Sequence, residues 1–184
     1  IHKTMMPKGF FSAVKNVGIK DKTLDLVVIY SDVPANAAAV FTTNDFVGEP
    51  IKVGRAHVEG CKLQAVVVNS KNANVATGRQ GYENAKTMCR TLAEELGIEE
   101  GLILPSSTGV IGHQLPIEKI VSGIKGIKTS LTPYDEEAVA RAIMTTDQWP
   151  KYRTVSLDGV VLSGVAKGAG MIEPNMATML SYIV

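Results

Sequence analysis

The stretch Leu63 to Ser70, LQAVVVNS, constrains the fold most, because its valine run stops abruptly in polar NSKNANVATG and a helical pattern follows. β-Branched valines suit a pleated surface better than a helix, so the run predicts a buried strand. The asparagines and glycine behind it suit a turn. From Gln80 to Leu96, residues Ala85, Met88, Cys89, Leu92 and Leu96 recur at three- and four-residue steps, and Gly97 stands where a helix C-cap belongs. A strand feeding an amphipathic helix calls for a sheet with helices layered on it.

The remaining chain extends this pattern. LDLVVIYSD, residues 24 to 32, predicts a second buried strand, and AAAVFTT and PIKVG two more. LILPSSTGVIG reads as a strand running into a glycine-bearing loop, after which Pro116 opens a helix with Ile117, Ile120, Val121 and Ile124 on one face. Thr132, Pro133 and Asp135 mark the capped start of another helix carrying Val139, Ala142 and Ile143 and ending near MTTD. RTVSLDGVVLSGVAKG alternates about Asp158-Gly159, the short-range signal of a hairpin. The expected class is α/β, a layered α+β body, and 184 residues without an internal repeat fit one domain.

Charge and composition narrow the function by exclusion. A net charge of +1 with no basic run argues against nucleic acid as a partner. No apolar run is long enough to cross a bilayer, and IHKTMMPKGF has neither a signal-peptide core nor a transit pattern, so a soluble, cytoplasmic protein is expected. Cys61 and Cys89 lack C-x-x-C spacing and are expected to be buried, inert thiols. His2, His57 and His113 are scattered, which predicts no metal site. Beginning at Ile1 and stopping within MLSYIV, the chain reads as trimmed at both ends.

Polar loops punctuate the apolar elements: NSKNANVATG, SSTGVIGH, MTTDQWPK and AKGAGMIEPNMAT. None matches a phosphate-binding loop, a dinucleotide fingerprint or a nucleophile elbow. By pattern alone, Thr178 is a threonine that hydrogen-bonds locally, Lys167 a surface lysine and SSTGVIG a plain turn.

Taken together and in order, AAAVFTTN, NSKNANVATG, SSTGVIG, AIMTTD and VAKGAGMIEPNMATML closely resemble the ornithine acetyltransferase family, the bifunctional glutamate N-acetyltransferases of arginine biosynthesis. The resemblance implies an N-terminal-nucleophile fold of the kind shared with DmpA-like aminopeptidases. It also implies a precursor that cuts itself between Ala177 and Thr178. Residues 1–177 would then be the α-chain domain and 178–184 the start of a β chain, the two remaining together as an αβ heterodimer that pairs further. By the same resemblance Thr178 is the nucleophile, Thr108 and Gly109 form the oxyanion hole, and Thr145, Thr146 and Lys167 contact substrate.

The chemistry implied is coherent. A freed Thr178 carries its own base, an α-amine with a reference pKa of about 7.7 to 8.0. The resemblance makes it take an acetyl group from N-acetylornithine and pass it to glutamate in a ping-pong cycle, with no metal or organic cofactor; acetyl-CoA is a further donor to consider. The chain departs from many family members in having Lys71 where they have Gly, and Val75-Ala76 where they have Ala-Cys. The alternatives are a paralogue serving secondary metabolism, an N-terminal-threonine amidohydrolase of similar fold, and a non-enzymatic subunit in which Thr178 only packs.

Overall fold

A computed structural model of the chain describes residues 6–168 and 179–184. The central five-stranded sheet contains β1 (Phe10–Lys15), β2 (Leu26–Asn36), β3 (Lys62–Asn72), β4 (Ile103–Val110) and β5 (Thr132–Pro133), in the order β4-β3-β2-β1-β5. All neighbours run antiparallel except β3 and β4, which are parallel because α2 (Gly78–Leu96) carries the chain back between them. With α1 (Glu49–Val58) and α3 (Ile117–Ile124), α2 covers one face of the sheet. On the other face lies α4 (Glu136–Ile143), packed between this sheet and a second one formed by β6 (Lys151–Leu157), β7 (Val160–Lys167) and β8 (Leu180–Ile183).

The valine-rich strands serve both faces, since successive side chains on a strand point to opposite sides. Leu26, Val28, Ala65 and Val67 join Met88, Leu92, Ile120 and Ile124 in the core under the helices. Val27, Ile29 and Val68 turn the other way, to Val139, Ile143 and Tyr134 and to Val165 and Tyr182 of the second sheet. A continuous apolar run, rather than alternation, is what a strand buried on both faces requires.

Several local expectations hold in detail. Gly97 adopts φ 74° and its N–H closes on the Ala93 carbonyl. Asp135 caps α4 by accepting the Ala138 N–H at 3.0 Å. Asp158 and Gly159, at φ 50° and 82°, form the turn between β6 and β7.

Other expectations are corrected. PIKVG is helical, inside α1: Pro50 fits a first turn, and Pro50, Val53 and Gly54 are buried at helical rather than alternating spacing. Gly54 packs closely on β4, where a Cβ would come within 2.8 Å of Leu104 Cδ1 and oblige that side chain to shift. AAAVFTT joins no ladder; β2 instead continues to Asn36 through a register shift after Tyr30. Thr132 and Pro133 pair with β1 rather than opening a helix. Cys61 is exposed in the turn from α1 to β3, while Cys89 is buried as expected.

The β1–β2 loop is organised by one carboxylate. Asp25 is buried, and it accepts the Val17 N–H at 2.7 Å on Oδ1 and the Ile19 and Lys20 N–H groups at 2.7 and 2.8 Å on Oδ2. Asp25→Ala leaves these donors without their acceptor and should cost about 3 kcal/mol. Urea denaturation of the variant should show this as a lower midpoint at unchanged slope, and an unmoved midpoint would contradict the role.

Candidate functional site

The site lies where the carboxyl ends of β3 and β4 approach the end of β7. Lys167, the last residue of β7, is 8% exposed and donates from Nζ to Thr145 Oγ1 at 2.6 Å and to Thr108 Oγ1 at 3.0 Å. Thr108 lies near the end of β4, and Thr145 follows α4. Three residues read from separate motifs are therefore brought to one point by three different elements. Thr146 lines the same cleft but is exposed, whereas Thr145 is half-buried.

Gly109 follows Thr108 with φ 139°, and a Cβ there would sit 2.1 Å from the Lys71 carbonyl carbon. Only glycine permits this approach of β4 to β3. Lys71 itself has φ 80°, a costly conformation for a residue with a side chain, and its ammonium lies 3.6 Å from Asp21.

The polar NSKNANVATG segment, the end of β3 and the loop that follows, is not a solvated turn. Asn69, Ser70, Asn72, Asn74 and Thr77 are all buried. Asn69 Oδ1 accepts from Ser107 Oγ at 2.5 Å while its Nδ2 donates to the Asn72 carbonyl at 2.9 Å. Asn72 Nδ2 donates to the His113 and Gln114 carbonyls at 3.1 and 3.2 Å, and Asn74 accepts from Thr77 Oγ1 at 2.8 Å. These bonds lock the backbone directly under Thr108 and Gly109.

Two further groups, not named as site residues from the sequence, stand beside the site. The Asp147 carboxylate, 1% exposed, receives Lys151 Nζ at 2.7 Å, the Gly168 N–H at 3.0 Å and the Thr145 N–H at 3.4 Å, with Lys167 Nζ at 3.9 Å. Burial alone would push its carboxyl up. The Gly168 N–H, Lys151, the Thr145 N–H and the Lys167 charge outweigh burial and bring its pKa to about 2. Lys20 donates to the Ala142 and Met144 carbonyls at 3.1 and 2.8 Å. These two partners lie more than a hundred residues away, so no local pattern marks the contact. Burial lowers the Lys167 pKa, Asp147 opposes that fall, and the Lys151 charge adds to it.

The cleft around these groups is open, about 1930 Å³, and is lined by Lys20, Lys71, Thr108, Gly109, Thr145 and Lys167 among many others. Pockets for small ligands measure roughly 300–1,000 Å³, so this cleft is larger than one such pocket. Ala177 and Thr178 lie outside the described residues, as does His2. His57 is tied to the Ile103 carbonyl, and His113 is exposed. Among the described residues no group of three or more His, Cys, Asp or Glu is placed to hold a metal ion, and no helix is long and apolar enough to cross a membrane.

This layered body is the fold of the ornithine acetyltransferases. It matches the crystal structure of ornithine acetyltransferase from Mycobacterium tuberculosis in complex with ornithine at a TM-score of 0.86 and 32% identity, over 91% of this chain and 92% of that one. It matches the arginine biosynthesis bifunctional protein ArgJ from Bacillus halodurans at a TM-score of 0.82 and 38% identity, over 95% and 92% of the two chains. The chain belongs to the ArgJ family, whose model matches residues 12–184. It is 53% identical over 178 residues to ArgJ 2 of Clostridium acetobutylicum, covering 97% of this chain and 46% of that protein. With ArgJ of Oceanobacillus iheyensis it shares 46% identity over 182 residues, or 96% and 44% of the two. The chain thus spans less than half the length of these relatives.

Asp147 makes a pH-dependent contribution that can be measured. Its native pKa of about 2 lies below the ordinary value of 3.8, so the carboxylate stabilises the fold fully above that value and loses its contribution as pH falls through the native one. The stability gap between wild type and Asp147→Asn should shrink by about 2 kcal/mol between about pH 5 and about pH 2. Denaturant titrations across that range test this, and a gap that stays constant would exclude it.

Proposed function

We propose that this chain is the α-side part of a self-processing acetyltransferase that moves an acetyl group from N-acetylornithine to glutamate. The carrying observation is the bonding of one buried ammonium, Lys167, to hydroxyls from two other elements, Thr108 and Thr145. Leu180, two residues after Thr178, pairs opposite Lys167 in the second sheet, which supports a nucleophile working beside this ammonium. Family membership supports the same reading.

In this mechanism the Thr178 hydroxyl first attacks the Ala177 carbonyl, the Ala177–Thr178 carbon–nitrogen bond breaks to free the Thr178 amine, and water hydrolyses the resulting ester to free the hydroxyl and the Ala177 carboxylate. That amine then takes the hydroxyl proton as Oγ1 adds to the acetyl carbonyl of N-acetylornithine. The tetrahedral oxyanion collapses, the carbon–nitrogen bond breaks, and ornithine leaves with the proton. Glutamate's amine reverses these steps on the acetyl-threonine ester.

Thr108 is suited to the oxyanion because its oxygen already accepts from Lys167, leaving its own O–H to donate onward, polarised by the cation. The Gly109 N–H is the second donor. An ammonium has three donors, and Lys167 uses two on threonines, which leaves the third for the α-carboxylate that both substrates carry. The volume of the cleft fits completion by a β chain beginning at Thr178, giving an αβ heterodimer that pairs further.

The decisive test is the intact mass of the full-length protein before and after brief exposure to N-acetylornithine, with Thr178→Ala alongside. Wild type should split before Thr178, and the fragment beginning TMLSYIV should gain one acetyl group that glutamate removes; acetyl-CoA is the second donor to try. Thr178→Ala should stay uncut. Release of the acetyl group to water but not to glutamate would indicate a hydrolase, and an uncut, unlabelled wild type would overturn the reading.

A further inference from the structure

Lys20 reaches the site from the β1–β2 loop and lines the same cleft as Lys167. Its ammonium donates to the Leu24 carbonyl at 3.0 Å, to Ala142 at 3.1 Å and to Met144 at 2.8 Å. The nearby Asp25 carboxylate is occupied by three backbone N–H groups, one of them that of Lys20 itself. The charge of Lys20 is therefore directed at carbonyls rather than at a carboxylate.

Two of those carbonyls stand at the C-terminal end of α4, immediately before Thr145. A helix C-terminus carries roughly half a negative charge, which repels an anion nearby. The same cleft is lined by Lys20, Met144, Thr145 and Lys167, so an anion held by Lys167 would face this negative end. Burial lowers the pKa of Lys20, Asp25 works against that, and the charges of Lys167 and Lys71 lower it further, consistent with ammoniums sharing one region. Ser70 supplies a contrast, since its hydroxyl donates to the same Ala142 carbonyl at 2.7 Å without bringing charge.

We propose that Lys20 is a positioning residue of the transfer site: it cancels the negative end of α4 and fixes the backbone leading to Thr145, so that a substrate carboxylate settles on Lys167. The inference rests on the transfer reaction proposed above. It assigns Lys20 to carboxylate affinity rather than to the chemical step.

The test uses the full-length, self-processed protein and steady-state kinetics with N-acetylornithine. Lys20→Gln keeps N–H donors but removes the charge, and it should raise KM about tenfold while kcat stays within about threefold. Lys20→Arg should recover most of that loss, and Ser70→Ala should raise KM far less than Lys20→Gln. A KM for Lys20→Gln within about twofold of wild type would overturn the role, as would equal KM rises in Lys20→Gln and Ser70→Ala. Should Lys20→Gln yield no processed enzyme, Lys20→Arg carries the test: near-normal KM supports the role, and a tenfold rise at unchanged melting temperature overturns it. A wild-type protein that transfers no acetyl group brings down the transfer reading itself. Normal wild-type transfer beside an unaffected Lys20→Gln brings down Lys20 alone.

Discussion

Taking the Lys167 ammonium out of water is the constraint around which the site is built. A buried cation is tolerated only when acceptors and an opposing charge replace its hydration. Here the acceptors come from Thr108 on β4 and Thr145 after α4, and the opposing charge comes from Asp147. Because Lys167, Thr108 and the Thr145–Asp147 segment belong to different elements, satisfying one charge also sets the two sheets and the end of α4 in a defined relation. Asp147 extends the tie by holding the N–H of Gly168, where β7 ends.

Beneath this charge lies a backbone that only close support could maintain. Lys71, Asn74 and Ala76 all have positive φ without being glycine, and Gly109 presses against the Lys71 carbonyl. Strain of this kind persists where surrounding bonds over-determine it. Asn69, Asn72, Asn74 and Thr77 provide those bonds, which explains why a segment that looks like a surface turn is buried. The precision of the Thr108–Gly109 corner is thus inherited from side chains that never reach the cleft.

Much of the architecture was legible because its signals are local. The valine run of β3, the apolar stripe of α2, the Gly97 cap, the Asp135 cap and the Asp158-Gly159 turn depend on neighbours within a few residues. PIKVG misled because five residues cannot separate a short apolar strand from a helix turn; in the fold Pro50, Val53 and Gly54 are buried at helical spacing. AAAVFTT has strand composition but joins no ladder, and Cys61 is exposed in the turn between α1 and β3. Thr108, Gly109, Thr145, Thr146 and Lys167 were visible through motif order, though nothing in their spacing showed that Lys167 would join Thr108 to Thr145.

By itself the amino-acid sequence determined most of the strands and helices, several of their stops, and which family the motifs belong to, because these depend on short-range periodicity, capping chemistry and residue order. Only the tertiary structure decided that an ammonium at residue 167 meets hydroxyls 59 and 22 positions earlier, and that Lys20 closes on carbonyls 122 and 124 positions later. The physical reason is that burial and charge pairing act through space. A lysine's environment is set by whichever elements the sheet order brings beside it, and not by its neighbours along the chain.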